Sequence, residues 1–374
     1  MKGQWIGHYS GSNEGLILVN IDERQSMFEG VAYVNNDNGA LPGLAAWFSI
    51  PTNKACDFSF RTAGISPIHP RTGVIDSWDN VKKFFGQDVV IPERADVSGA
   101  WTETALKMSW TTNIGTQGSC ELPRSKAGDA SELVALSEVH DWASFKNYVS
   151  GLEGCRHLFR GQNKPWRLRT SFHRSDRAEL HRFLNEDVQI LHKHLSARTR
   201  HVFNLDIPNE NGAFFNLVQH HGYPTPLLDW TYSPYVAAFF AYRGISNQDA
   251  SVASVTDKVR IHVFDQAQWK IDWMQLQQLL LADPHLSIGE FMAIENERMI
   301  PQQAASTVTN IDDIESYIKS KEANGKTYLW VIDLPVSERR TVVHELSYMG
   351  ITAGSLFPGL DGACEELKER NFET

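Results

Sequence analysis

The chain has 374 residues, of which 42% are hydrophobic and 21% charged, and its formal net charge is -10. This length and apolar content exclude a disordered chain and predict a globular protein of two domains. The modest negative charge argues against a protein that coats nucleic acid, although it leaves room for a local basic surface.

The cysteines are widely scattered and show neither a Cys-x-x-Cys pair nor the density of a secreted disulfide scaffold. We therefore expect reduced thiols in the core at Cys56, Cys120, Cys155 and Cys364. No run of about 18 apolar residues is present, and the N-terminus has no apolar segment after its single lysine. The sequence predicts a cytoplasmic protein that does not enter a membrane.

Residues 1–121 alternate between apolar and polar side chains in short segments such as GLILVNID, CDFSFRTAG and ALKMSWTTNIG. An alternation of apolar and polar side chains with a period of two residues, with glycine or asparagine between the segments, predicts an all-β domain, which would be an antiparallel barrel or sandwich. Trp5 and Trp101 each follow a Gly-x pair. We interpret them as side chains that fill the core, and the alternative is that the first and last strands meet to close a barrel.

The polar segment LPRSKAGDAS, residues 122–131, predicts a linker, after which residues 132–374 form an α+β domain. Helices are predicted over residues 137–152 with Ser137 as cap, over residues 175–202 with an apolar stripe, and over residues 337–349. The segment RHLFRGQNKPW predicts a buried strand that breaks into a loop, which leaves Arg160 at or near a strand end. Further strands are predicted at RIHVFD and TYLWVID.

Two features of this half suit an anionic ligand. Arg160 offers a planar guanidinium, whose paired hydrogen bonds match a pyrophosphate, and Gly161 beside it permits close approach of a ligand. A helix that begins near Ser233, with Pro234 first, directs free backbone amides toward its mouth, and such helix starts bind anions. Thr231 and Ser233 are expected to line the same mouth.

Four segments resemble the FRG domain family, which is named for its Phe-Arg-Gly motif. They are LFRGQ at 158–162, QHHGYPTPLLDWTYSPYVAAFFA at 219–241, RMIPQQ at 298–303 and LFPGLDGA at 356–363. The chain departs from the family in two places. Pro226 stands where the family has an arginine, and the family's Gln-x-Gly-x-Phe appears as Gln302, Ala304 and Ser306.

The order of these motifs is similar to that of ADP-ribosyltransferases, in which an arginine on one strand and a Ser or Thr on the next hold NAD. The resemblance implies an ADP-ribosyltransferase-like fold, with Arg160 on the phosphate or ribose and Thr231 or Ser233 in the hydroxyl position. It also implies that NAD is surrounded by Gly161, Gln162, His220, His221 and Asp229.

Cleavage of the bond to nicotinamide passes through an oxocarbenium-like state, which a nearby carboxylate stabilises. The candidates for this carboxylate are Glu345, Glu297, Asp229 and Asp361. We rank Glu345 and Glu297 first, because the longer glutamate side chain reaches further across a cleft.

Each candidate also has a structural interpretation. Ser233 suits an N-cap, Asp229 an Asx turn and Gln302 a bond to backbone groups at a sheet edge. Arg160 suits an internal ion pair, for example with Asp229. His220 and His221 lack a further ligand at metal spacing, and no metal site is predicted.

Residues 156–200 hold eleven Lys or Arg against four Asp or Glu, a basic segment within an acidic protein. A basic helix face would follow a phosphate backbone, whereas pairing with nearby acids at helical spacing is the structural alternative.

Two classes of function remain open. The first is an NAD-dependent ADP-ribosyltransferase-like effector, a toxin or an antiviral defence protein, with an unknown acceptor, nucleic acid being one option, and a β domain that binds a partner or regulator. The second is a non-enzymatic module that binds a nucleotide or nucleic acid, with the β domain as its partner-binding part.

Overall fold

The computed structural model describes residues 1–54, 56–323 and 325–372. Its N-terminal part, residues 1–123, is called the barrel half below, and residues 132–372 the C-terminal half. The strands of the barrel half are β1 (Gly3–Gly11), β2 (Gly15–Arg24), β3 (Met27–Asn36), β4 (Leu44–Pro51), β5 (Asp57–Arg61), β6 (Gly64–Pro67), β7 (Ala95–Trp101), β8 (Ala105–Thr112) and β9 (Gln117–Pro123), with one short helix, α1 (Trp78–Val81).

These strands form one antiparallel sheet in the order β5-β7-β8-β9-β1-β2-β3-β4-β6, which confirms a β-rich first half. The sheet curls, because residues 57–67 join both of its edges. Thr62 donates its amide to Ala95 on one edge at 3.0 Å, and Ala63 donates to Trp47 on the other at 2.8 Å. Strand β1 also pairs with β9. The strand of Trp5 therefore meets β9 and not β7, the strand that carries Trp101. Trp5 is buried in the core, and Trp101 packs against it while partly exposed.

The C-terminal half is built on a second antiparallel sheet in the order β13-β14-β11-β10-β12-β15. Its strands are β10 (His157–Gln162), β11 (Leu227–Thr231), β12 (Lys258–Asp265), β13 (Leu286–Gly289), β14 (Ala304–Thr309) and β15 (Leu329–Pro335). Its helices are α2 (Trp142–Ser150), α3 (Ser171–Arg174), α4 (Leu180–Arg182), α5 (Val188–Leu195), α6 (Pro208–His220), α7 (Pro234–Tyr242), α8 (Asn247–Val252), α9 (Gln266–Asp272), α10 (Ile314–Ser320), α11 (Arg339–Tyr348), α12 (Ala353–Leu356) and α13 (Leu360–Phe372). This half is α+β, as expected.

Helices cover both faces of the second sheet. On one face, α7 lies against β10 and β12, and α2 and α11 pack over it through Trp142, Phe145 and Leu346. On the other face, the core contains Leu158, Trp230 and side chains from α9 and α10. A separate aromatic cluster under α6 buries the beginning of β11. The apolar helix α7 is therefore central to the domain.

The long helix predicted over residues 175–202 is shorter and interrupted. The amides of Ala178 and Glu179 donate to the Asp22 carboxylate of the barrel half, at 2.8 and 3.1 Å, so they do not make the backbone bonds of a helix that begins at residue 175. Glu179 then caps α4, a π-helical turn follows over Phe183–Asp187, and α5 ends at Leu195. A contact with the other half decides where the helix begins.

Three smaller expectations are wrong. Asp141 rather than Ser137 caps α2, because its carboxylate accepts the Ser144 amide at 2.7 Å. Strand β9 extends through Leu122, a buried core residue that the sequence placed in the linker. The cysteines are free but not core residues: Cys120 is partly buried, and the exposed ones are Cys56, Cys155 and Cys364. Of the helices described, none combines the length and the apolar character needed to cross a membrane.

Buried polar contacts hold the two halves together. Gln4 of β1 donates to the Asn310 carbonyl at 2.6 Å and accepts the Asp312 amide at 2.9 Å. Asp22 accepts from Arg177 Nε at 2.9 Å, and its side chain is almost fully buried. Buried polar groups of this kind are costly to separate, because each one leaves its partner unsatisfied. We therefore expect the halves to behave as one rigid unit.

Candidate functional site

The Phe-Arg-Gly triplet lies where two strands of the second sheet separate. Strand β10 pairs with β12 along its whole length but with β11 only at Phe159 and Thr231. Beyond that point, Arg160 Nη1 donates to the carbonyl oxygen of Asp229 at 2.6 Å. The guanidinium thus replaces the ladder hydrogen bonds that β10 and β11 no longer make, which places it in the gap between the strands.

Gly161 is needed for helix packing. A Cβ atom at this position would lie 1.9 Å from the Ala237 carbonyl oxygen and 2.6 Å from the Ala241 nitrogen. Such distances are far below van der Waals contact, so only glycine lets the backbone of α7 approach β10. The space that the sequence assigned to a ligand is occupied by this helix.

The charge of Arg160 is only partly compensated. Its Nε is buried and has no hydrogen-bond partner among the residues that the structure describes. Burial lowers the pKa of the guanidinium to about 10, Asp229 acts in the opposite direction, and the nearby positive charge of Arg174 adds to the lowering. Because a buried donor without a partner is costly, this group is suited to an incoming anion.

Asp229 lies beside the guanidinium of Arg160. The side chain is partly exposed, and its carboxylate makes no hydrogen bond or ion pair within residues 1–54, 56–323 and 325–372. The predicted Asx turn is therefore not formed, and the bond from Arg160 goes to the backbone instead of the carboxylate. The negative charge of Asp229 also counteracts the lowering of the Arg174 pKa by burial, so Asp229 lies near both arginines.

The hydroxyl groups of Thr231 and Ser233 are used in the fold. Thr231 is buried, donates to the Gln302 carbonyl at 2.7 Å and accepts the Ser233 amide at 3.0 Å. Ser233 is also buried and accepts the Val236 amide at 3.2 Å, which confirms its role as the N-cap of α7. The Gln302 side chain in turn donates to the carbonyl of Leu356 at 2.9 Å. Hydrogen bonds from these side chains hold α7 and α12 in place, and the two hydroxyl groups do not face a cleft.

The two glutamates ranked first lie elsewhere. Glu345, on α11, accepts from Trp142 Nε1 at 2.9 Å and from Lys146 Nζ at 2.5 Å, and these contacts, that of Lys146 above all, lower its pKa. Glu297 is exposed on the loop after β13. Neither makes a hydrogen bond to Arg160 in the described structure, so geometry brings only Asp229 to the arginine.

The remaining candidate site residues either make structural contacts or lie at the surface. His220 Nδ1 lies 2.7 Å from Asn296 Oδ1, and its carbonyl accepts from Arg298 at 2.8 Å, so it anchors the loop that carries Glu297. His221 and Asp361 are exposed, and Gln162 is partly exposed at the end of β10. Over the described residues, no three His, Cys, Asp or Glu side chains are grouped so as to hold a metal ion.

One neighbour of Arg160 was missed from the sequence. His262 of β12 pairs directly with Arg160, is fully buried, and has no hydrogen-bond partner for either ring nitrogen in the part of the chain described. Burial lowers its pKa well below the usual value, and the positive charges of Arg260 and Arg160 add to this effect. The signal was a histidine inside the predicted strand RIHVFD. The imidazole beside the guanidinium therefore stays neutral and adds no further positive charge to those of Arg160, Arg174 and Arg260.

Five arginines of the basic segment 156–200 bind acids across the fold: Arg156 with Asp265, Arg167 with Asp313, Arg169 with Asp312, Arg177 with Asp22 and Arg182 with Glu29. Most of these partners are far away in the sequence, and two belong to the barrel half. Part of the positive charge therefore serves tertiary structure and the contact between halves, while Lys193, Arg198 and Arg200 are exposed.

Comparison with known proteins supports one assignment. A family model described as the FRG domain matches residues 156–250, a range that contains β10, Arg160, Asp229 and α7. No curated protein and no solved structure matches the chain. The matched range includes the Phe-Arg-Gly strand and the segment around Asp229 that the geometry brings together. The C-terminal half of this chain therefore carries an FRG domain.

Proposed function

We propose that the FRG domain binds NAD at Arg160 and transfers its ADP-ribose group to an acceptor. The observation that supports this proposal is the partly buried guanidinium of Arg160, whose buried Nε has no hydrogen-bond partner among the described residues. The guanidinium lies beside Asp229, whose carboxylate makes no hydrogen bond or ion pair in that part of the chain. The Arg160 side chain would bind the pyrophosphate, because a guanidinium donates paired hydrogen bonds to phosphate oxygens.

In this proposal, Asp229 takes the role of the carboxylate near the ribose. The bond between the ribose and the nicotinamide nitrogen breaks, and its electron pair leaves with neutral nicotinamide. A carboxylate stabilises the positive charge that develops on the ribose until a nucleophile of the acceptor attacks and releases its proton. Glu345 and Glu297 do not meet Arg160, and Thr231 and Ser233 keep their structural hydrogen bonds.

The biological setting belongs to the same proposal. An enzyme that consumes NAD suits a cytoplasmic effector, either a toxin or an antiviral defence protein, that is active only under defined conditions. The barrel half, held against the FRG domain by buried polar contacts such as that between Asp22 and Arg177, would then act as its regulatory or partner-binding part. Nucleic acid remains one possible acceptor class.

A second candidate function is nucleotide binding without cleavage. The observation that favours it is the engagement of both hydroxyl groups, since Thr231 donates to Gln302 and Ser233 caps α7. Under this alternative, Arg160 still holds a phosphate group, but Asp229 performs no chemistry.

The test combines calorimetric titration of NAD with measurement of nicotinamide release. We expect Arg160→Lys, which retains the charge but loses the paired N–H donors, to weaken NAD binding by roughly tenfold to a hundredfold. Asp229→Asn should bind NAD nearly as well as wild type but release little nicotinamide. Arg61→Lys is the matched control, because Arg61 is an exposed arginine of the barrel half that pairs with Asp96.

The possible results separate the two functions. NAD binding without nicotinamide release, in the presence of protein, DNA or RNA acceptors, supports the binding module. Equal affinity of wild type and a correctly folded Arg160→Lys variant would refute the anion site itself. Undiminished release by Asp229→Asn would show that Asp229 is not the carboxylate.

A further inference from the structure

The barrel half encloses a cavity at one end. The other end is filled by large inward side chains, among them Trp5, Phe58 and Leu106. Toward the loops that join β1 to β2 and β3 to β4, the inward positions include Ala32 and Ala46, and a cavity of about 260 Å³ remains. The difference in side-chain volume between the two ends therefore creates the cavity.

The chemistry of the wall restricts the ligand. No Asp, Glu, Lys, Arg or His is among the residues that line the cavity, over the part of the chain described. A charged ligand would lose its hydration without gaining an ionic partner, which is strongly unfavourable. Aromatic rings form part of the wall, and those of Phe48 and Phe60 stack with their centroids 5.2 Å apart. The wall thus favours a neutral and mainly apolar molecule.

Two polar pairs belong to this wall: Thr112 and Thr116, whose hydroxyls lie 2.7 Å apart, and Tyr9 with Asn36, the latter on the same strand as Ala32. Tyr9 donates its hydroxyl to Asn36 Oδ1 at 2.6 Å, and Asn36 Nδ2 is held by the Pro42 carbonyl at 2.7 Å. Burial raises the pKa of Tyr9 to about 12, so the phenol stays neutral at physiological pH. Its oxygen can accept one hydrogen bond from a ligand.

The opening of the cavity is apolar although solvent reaches it. Val90 is 66% exposed and Ile114 is 41% exposed, and both line the cavity. Exposed aliphatic side chains around an apolar opening gain free energy when a ligand covers them. They indicate that the space accepts an occupant from solution.

We propose that the barrel half binds a neutral small molecule of about two-ring size that carries one hydrogen-bond donor. The size follows from comparison with an engineered apolar cavity of about 150 Å³, which holds benzene. The donor would bind to the Tyr9 oxygen, and the apolar part would lie between Phe48, Phe60 and Ala46. This site is in the barrel half and does not depend on the proposed NAD site.

The test uses a neutral naphthylamine, whose fluorescence shifts to the blue in an apolar environment, together with naphthalene itself. We expect naphthylamine to bind wild type with saturable fluorescence and Ala46→Leu to weaken binding at least tenfold, because leucine fills the cavity. Ser109→Leu is the matched control. It adds the same side chain to the same barrel, but at an exposed position on the outer face, beside Ser98.

A third variant tests the orientation. Tyr9→Phe should weaken naphthylamine binding roughly fivefold, the value of one neutral hydrogen bond, and should leave naphthalene binding unchanged. Naphthalene displaces the fluorescent probe and so reports its own affinity. Thermal unfolding of each variant confirms that it is folded.

The outcomes decide the proposal. Saturable binding that is lost in Ala46→Leu and retained in Ser109→Leu supports the cavity site. Absence of saturable binding to wild type, or equal binding by Ala46→Leu, overturns it. Equal losses of naphthylamine and naphthalene binding in Tyr9→Phe would refute the assigned hydrogen bond.

Discussion

Asp22 of the barrel half is the residue whose replacement should separate the two halves of the protein. Its carboxylate is buried and accepts three hydrogen bonds from the C-terminal half: from Arg177 Nε at 2.9 Å, from the Ala178 amide at 2.8 Å and from the Glu179 amide at 3.1 Å. Asp22→Ala removes the acceptor of all three bonds and the negative charge that faces Arg177.

The structure sets the expected magnitude. Breaking a buried ion pair by removal of one partner costs about 3–5 kcal/mol, since a buried charge is left unpaired. Arg177 keeps a second acid, because its Nη1 donates to Asp187 at 2.5 Å, and this reduces the electrostatic part of the loss. The two amides still lose their acceptor, at about 1–3 kcal/mol in total. We therefore expect the free energy of unfolding to fall by about 3–4 kcal/mol.

Urea unfolding followed by far-ultraviolet circular dichroism measures this change. The variant should unfold at lower urea concentration, and the barrel half and the C-terminal half should then unfold in separate transitions. Asp96→Ala is the control, because Asp96 pairs with Arg61 at an exposed site and its loss should leave the midpoint unchanged. A stability of Asp22→Ala within about 1 kcal/mol of wild type would refute the idea that this contact holds the halves together.

Three further predictions concern the C-terminal half. Gly161→Ala should lower the free energy of unfolding by about 1–3 kcal/mol or more, because the new Cβ would collide with the Ala237 carbonyl. Urea unfolding measures this change, and unchanged stability would show that α7 moves aside freely. Thr231→Val should lose about 1–3 kcal/mol of stability but keep NAD binding, whereas lost NAD affinity in a stable variant would give the hydroxyl a ligand role. Burial lowers the pKa of His173 to about 4 from its ordinary 6.5. Between these pH values, His173 is therefore protonated in the unfolded chain and neutral in the folded chain. The contribution of His173 to stability should therefore be constant above pH 6.5 and fall by about 3 kcal/mol towards pH 4. His173→Gln should reduce the pH dependence of the free energy of unfolding by that amount, measured at both pH values.

Local pattern was enough to predict several of the strands, though not β13 and β14, and it was insufficient to predict what their side chains contact. The alternation in GLILVNID and ALKMSWTTNIG predicts strands that the structure confirms as β2 and β8. The break after the strand HLFRGQ likewise predicts that Arg160 lies near a strand end, and β10 ends at Gln162. That its guanidinium reaches the Asp229 carbonyl depends on the separation of β10 from β11, which no local pattern encodes.

Two of the wrong expectations share a physical cause, which is contact between residues far apart in the sequence. The apolar stripe over residues 175–202 has helical spacing, but Asp22, more than 150 residues earlier, binds the amides that would begin the helix. Glu345 was ranked first for its long side chain, yet Lys146 and Trp142 of α2 hold its carboxylate. In both cases, a tertiary partner decides which local possibility is realised.

The segment GVAYV in β3 shows how the cavity and the C-terminal half meet. Val31 and Tyr33 pack outward in a cluster that includes Ala282 of the C-terminal half, while Ala32 and Val34 line the cavity inside. A strand buried on both faces loses the usual alternation and becomes apolar at every position, as this segment does. A ligand in the cavity is therefore one strand away from the C-terminal half. Glu29, near the beginning of the same strand, accepts from Arg182 Nη1 at 2.6 Å, so β3 contributes both to the wall of the cavity and to the contact between the halves.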